Sequence, residues 1–227
     1  TQWWFSNGEK IGGNTENLVI YNPSSRDRSL SVVFVNGSDS ANSIEPLLIT
    51  APAHRVITID TGTIPSLPVG RYGIIVSTND QDIGDSQGIV VEQVINRRDG
   101  NTVGTSVVLG APHNSGSTMW SAPSGVTASE DALQIMNTTS QEATVSVLQV
   151  GPAGAVVLGG LESLVLQAGG VLSIGVPPGL PDAQIIVQAT TTVVVQRLLS
   201  RGHDLIGRSA VLALPHLPSS PVVVSTP

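Results

Sequence analysis

Cysteine is absent from this chain, which excludes disulfide frameworks, thiolate metal sites and cysteine nucleophiles. Charge is scarce as well. Charged residues make up 12% and the net charge is −7, with Lys10 the only lysine. The arginines are scattered, and the one adjacent pair, Arg97-Arg98, runs into a turn signal, Asp99-Gly100. A nucleic-acid partner is therefore excluded, because neutralising phosphates needs clustered cations. A basic membrane-binding face is excluded on the same ground. No stretch approaches the roughly 18 to 20 uninterrupted apolar residues of a membrane span, so no membrane insertion is expected of this segment. Its opening residues, Thr1-Gln2-Trp3-Trp4-Phe5, already alternate as a strand does and form no signal peptide. A mature or excised piece is expected, with any export signal upstream of Thr1.

What is present is apolar and finely divided. The 227 residues are 40% hydrophobic, and 24 Gly and 15 Pro cut the Val, Ile and Leu into short runs that never reach helical length. This pattern reads as all-β.

The runs repeat. Leu18-Val19-Ile20-Tyr21-Asn22 and Leu133-Gln134-Ile135-Met136-Asn137 share one design: a half-buried strand that ends on an asparagine able to start a turn. Eight residues after each Asn a second alternating strand begins, at Leu30 and at Val145. Val56-Ile57-Thr58-Ile59 matches Val171-Leu172-Ser173-Ile174, Ile74-Ile75-Val76 matches Ile185-Ile186-Val187, and Val90-Val91 matches Val194-Val195. Trp4 aligns with Trp120 and Gly8 with Gly125. The strand spacing predicts two tandem β-sandwiches of immunoglobulin-like or fibronectin-like layout, over residues 1–112 and 113–216. Residues 217–227, rich in Pro and Ser, read as a tail or linker. In the second copy, strands are expected at 184–189 and 192–199, joined by a hairpin at Ala189-Thr190-Thr191-Thr192.

A Trp before a Gly-containing turn, a strand ending in Asn-Pro and a Val-x-Val strand open this pattern. A Val-rich strand ending in acidic or amide residues and a Ser-Gly-Pro stretch leading to the next Trp complete it. Here these are Trp4, Gly8, Asn22-Pro23, Val32, Val91-Glu92 and 106–120, with Trp120, Asn137, Val147 and Gln196-Arg197 in the second copy. The series resembles a tandem β-sandwich domain of unknown function found in exported, envelope-associated proteins of Actinobacteria. Gln93 stands where that pattern has Arg, and Thr138 stands where it has Pro. The resemblance implies an extracytoplasmic location, with a membrane tether outside this segment, and supplies no catalytic residues.

Candidate sites are few. His54, His113, His203 and His216 have no partner at metal-ligand spacing. No nucleophile-elbow motif appears, and His54 with Asp60 is the one pairing with any catalytic interest. Asp80, Asp82 and Asp85 cluster around Gly84 and offer hard oxygen ligands to calcium, though not in EF-hand order. No other cofactor is implied. Of seven aromatics, the repeat assigns Trp4 and Trp120 to the core, Phe34 lies within a core strand and alternation turns Trp3 and Phe5 away from Trp4, which leaves Trp3, Tyr21 and Tyr72 as possible stacking platforms for a sugar ring. The function expected from these features is non-catalytic: a structural or protein-interaction module of the bacterial envelope. Its expected partner is an envelope protein, or, in the carbohydrate-binding alternative, a cell-wall polysaccharide. A hydrolase is the minor reading.

Overall fold

The computed structural model describes residues 1–36, 44–78, 88–122, 131–151, 154–177, 184–200 and 208–216, and all of its regular structure apart from two short 3-10 turns is β. In the first half, β1 (Gln2–Lys10), β3 (Arg28–Asn36), β4 (Leu47–Ala51), β6 (Gly70–Thr78) and β9 (Ala111–Pro112) form one antiparallel sheet in the order β4-β3-β6-β1-β9. The second sheet contains β2 (Thr15–Tyr21), β5 (Val56–Asp60), β7 (Val90–Asp99) and β8 (Thr102–Leu109), in the order β5-β2-β7-β8. One apolar cluster draws from both sheets, Phe5, Val32, Ile74 and Val76 from one and Leu18, Ile20 and Val91 from the other.

The second half has β10 (Ser117–Ala122), β11 (Asp131–Asn137), β12 (Ala143–Gly151), β13 (Gly154–Val157), β14 (Leu164–Leu166), β15 (Val171–Gly175), β16 (Gln184–Ser200), β17 (Arg208–Leu212) and β18 (Leu214–Pro215). The predicted hairpin at Ala189–Thr192 does not form. Instead β16 runs unbroken for 17 residues, pairing first with β10 and β12 and then with β11 and β17. The reason is local: Ala-Thr-Thr-Thr-Val contains no turn residue and is rich in β-branched side chains that favour extended backbone. A single strand thus serves what are two separate sheets in the first half.

Both asparagines that close the repeated strands act as clamps. The Asn22 amide donates to the carbonyls of Arg26 and Ala51, both at 2.8 Å, and of Pro52 at 3.3 Å, while its oxygen accepts from the Ser24 N–H. The Asn137 amide donates to the carbonyls of Gln141, Leu166 and Gln167, and its oxygen accepts from the Thr139 N–H. Every partner lies 115 residues from its counterpart. The repeat also holds at His54, which takes a positive φ of 54° where the second copy has Gly169 at 66°.

The register corrects the pairing of tryptophans. Trp3, not Trp4, is the counterpart of Trp120. Trp3 lies opposite Val76 and Pro112, and Trp120 lies opposite Val187 and Pro215. Both indole N–H groups donate to equivalent carbonyls, Trp3 to Ile89 at 2.7 Å and Trp120 to Val193 at 2.9 Å. A shift of one residue on a strand reverses the face. Trp4 accordingly points away from Phe5 and its cluster, and packs with the apolar residues of the second half.

That contact joins the halves. The outward face of β1, β3 and β6 meets the outward face of β11, β15 and β16, with Val35 and Ile75 packed on the second-half core. The Ser6 N–H and Oγ both donate to Gln196 Oε1 at 2.9 Å. Gly73 allows the approach, since a Cβ there would stand 2.7 Å from Val171 Cγ2 and 3.1 Å from Met136 Sδ. Gly73→Ala is expected to lower stability by about 1–3 kcal/mol in denaturant titration, as overpacking does. Asn22→Ala and Asn137→Ala, which leave several carbonyls of a tight corner without their donor, should each cost at least about 2 kcal/mol.

Candidate functional site

Polar chemistry gathers inside the first half, at the end of the core where β1 bulges between Phe5 and Gly8. Gly8 is required there, because a Cβ would meet the Tyr72 ring at 2.3 Å and the Tyr72 carbonyl oxygen at 2.8 Å. The ring lies over the glycine, and its hydroxyl donates to Glu16 Oε2. Gln93 Nε2 donates to Glu16 Oε1, Thr61 Oγ1 to Oε2 at 3.1 Å, and the Glu9 N–H to Oε2 at 3.4 Å. Beside it, Arg97 Nε pairs with Glu9 Oε1 at 2.9 Å, Asn14 Nδ2 donates to the same oxygen, and Arg97 Nη1 donates to Ser106 Oγ.

Glu9, Glu16, Gln93 and Arg97 are all buried. Burial raises the Glu16 carboxyl from 4.5 to about 7, against the lowering effect of its four donors. Tyr72 is also pushed up, by burial first and then by the adjacent Glu16 charge. Such a carboxyl holds a proton near neutrality, and it is closed to solvent.

The structure separates the three aromatics chosen as sugar platforms. Tyr72 is 1% exposed, and its ring packs edge-on against Phe34 at 5.7 Å. Tyr72 shares the inward parity of Ile74 and Val76 on β6, and the bulge at Gly8 on the neighbouring strand opens the space that its ring fills. Trp3 is half-buried, with its N–H tied to Ile89. Only Tyr21 is exposed, at 40%, and the three share no groove. Asp80, Asp82 and Asp85, the calcium candidates, lie outside the described residues, as does His203. Among the described residues, no group of three His, Asp or Glu is placed to hold a metal. His54 sits in the turn before β5 and Asp60 at that strand's far end, roughly 15 Å away. Asp60 Oδ1 accepts instead from the Gly62 N–H at 2.9 Å. His113 stacks obliquely on Trp4 at 5.5 Å, in the 3-10 turn that joins the halves.

Sequence reasoning missed an external feature. The outward face of β5-β2-β7-β8 carries two rows of exposed apolar side chains among its polar ones. Val56, Tyr21 and Val90 form one cross-strand row, and Leu109, Val107 and Val103 line the β8 edge. Exposures there run from 38% at Val90 to 61% at Val103. The signal was available in the alternation of Val103, Val107 and Leu109 with Gly104, Ser106 and Val108. A second, polar groove of about 320 Å³ lies on the other half, lined by Thr118, Thr144, Ser146 and Gln188 among others.

No family model matches this chain, and no curated protein does. A solved structure, Thermotoga maritima 1070, is similar over 48% of this chain and 91% of its own, at 13% identity and a TM-score of 0.42. A likeness of that size leaves function to be read from the residues themselves.

Because the folded pKa of Glu16 is raised, the protonated carboxyl stabilises the fold. That contribution is fully present below about pH 4.5 and is lost as pH rises to about 7, a change on the order of 3 kcal/mol. Urea unfolding between pH 4 and 8 should show this decline in the native chain. The difference between it and Glu16→Gln should close at low pH and open as pH rises, with the variant the more stable at pH 8.

Proposed function

We infer that this chain is a non-catalytic interaction module, built as two tandem β-sandwiches of immunoglobulin-like layout and working on the outer side of a bacterial membrane. The apolar face of β5-β2-β7-β8 carries this reading. Folded chains rarely leave contiguous apolar surface of this kind in water unless something covers it. The extracytoplasmic placement and the envelope partner rest on the resemblance of the Trp, Asn-Pro and Val-x-Val pattern to exported actinobacterial sandwich domains. The carbohydrate reading keeps only Tyr21 of its three platforms, so a protein partner is the better-supported occupant.

Tyr21 itself supplies the test. Of the two tyrosines, one is exposed and the other is buried and hydrogen-bonded. Nitration of the isolated chain at sub-micromolar concentration should modify Tyr21 and spare Tyr72. On intact cells of its source, Tyr21 should be protected several-fold if the face is covered. Equal reactivity in both settings rejects the interaction reading.

A further inference from the structure

The internal repeat shows what kind of surface covers such a face. In the second half, Met136 opposes Val171 on β15 and Val194 on β16, and this face is covered within the chain by the outward face of β1, β3 and β6. The same register positions in the first half are Tyr21, opposite Val56 on β5 and Val90 on β7. There they stand exposed. Gln196, which accepts two hydrogen bonds across the covered face, has Glu92 as its exposed counterpart. The uncovered face is thus the repeat equivalent of one that already docks a β-sheet.

Among the described residues of another copy, two such sheet faces remain free, and the two differ. The outward face of β10, β12 and β16 carries Gln184 where the first half has Gly73, as the pairing of Val150 with Gln184 and Val35 with Gly73 shows. Gly73 is the position whose missing Cβ admits Val171 and Met136. A long amide there, hydrogen-bonded to Ser121, bars the same approach. The β5-β2-β7-β8 face has no such obstacle and is self-complementary in charge. Exposed Glu92 and Arg98 stand on one strand, symmetric about its middle, with Val94 and Asn96 between them on the same face. A twofold axis crossing β7 between Val94 and Asn96 sets each Glu92 against the partner's Arg98.

We propose that two copies of this chain pair through the outward faces of β5-β2-β7-β8, about a twofold axis that joins Glu92 of each copy to Arg98 of the other. The proposal rests on the interaction-module reading and names its partner. Closed twofold pairing is the commonest form of self-association and needs one self-complementary patch. The apolar row on β8 supplies buried area, with Val103 of each copy facing Leu109 of the other, while the two ion pairs fix orientation.

Sedimentation velocity of the full chain from 1 to 200 µM tests it. A monomer–dimer equilibrium is expected, weakened at least tenfold by Glu92→Arg or Arg98→Glu, each of which opposes like charges. The double reversal, Glu92→Arg with Arg98→Glu, should restore pairing to within about threefold of the native chain, a result that general surface damage does not give. Val107→Lys should abolish dimers with an unchanged melting midpoint. A monomer at every concentration, growth beyond dimers, or a double variant no better than the singles overturns the proposal. A monomer whose Tyr21 is still protected on cells removes self-pairing alone, whereas a monomer with Tyr21 equally reactive in both settings removes the interaction reading with it.

Discussion

Strand β1 has to serve two packed surfaces at once, and the arrangement of both halves follows from that constraint. Its inward residues, Trp3 and Phe5, belong to the first half. Its outward residues, Trp4 and Ser6, are held by the second. Along a pleated strand these sets are fixed relative to each other, so moving one moves the other. The consecutive aromatics Trp3-Trp4-Phe5 are therefore two pieces of different surfaces that happen to be adjacent in sequence. The second-half counterpart of Trp4 is Ser121, because the outward face of β10 has no further sheet to meet inside this chain.

The polar layer behind Gly8 adds specificity more than stability. Attraction between Glu9 and Arg97 is largely offset by the cost of taking both from water, so the pair contributes little net stability. Breaking it is another matter. If β1 slipped by one residue, Glu9 would leave Arg97, Gly8 would leave the Tyr72 ring, and several buried donors and acceptors would lose their partners together. Alternative registers are penalised far more than the native one is favoured. Glu16 fits the same account: burial holds its proton near neutrality although four donors favour the ionised form.

Much of the fold was legible because its strands are short, alternate cleanly and recur. Leu18 with Ile20 and Leu133 with Ile135 were read as inward pairs, and all four are fully buried. The asparagine turns were legible too, since few other side chains can both donate and accept at a tight corner. Three things were hidden, each for a physical reason. The bulge at Gly8 makes the room that the inward Tyr72 ring fills, and nothing in the β6 sequence announces it. Two adjacent tryptophans made the repeat ambiguous by one residue, which only pairing on both sides of the strand resolves. The long β16 looked like two strands because the first copy has two, although its own sequence contains nothing to turn the chain. The exposed apolar face was not foreseen: β8 shows the alternation of Val103, Val107 and Leu109, but which of its two faces turns to water is set by the neighbouring strands.

The contrast between equivalent positions explains why the halves pack in one order only. Covering the β11, β15 and β16 face requires a surface with a gap for Val171 and Met136, and a residue that donates twice to Gln196. Gly73 and Ser6 meet both needs on the first half. On the second half, Gln184 fills the gap and is engaged with Ser121, so exchanging the roles of the two copies would place an amide side chain where two apolar ones must enter. That face of the second copy therefore lacks the gap that docking uses, while the first copy keeps a face of the docking kind with Tyr21, Val56 and Val90 in water. Apolar side chains in cross-strand register, on a face that docks a sheet in the other copy, are what support that surface, and not the buried carboxyl, as the proposed place of contact.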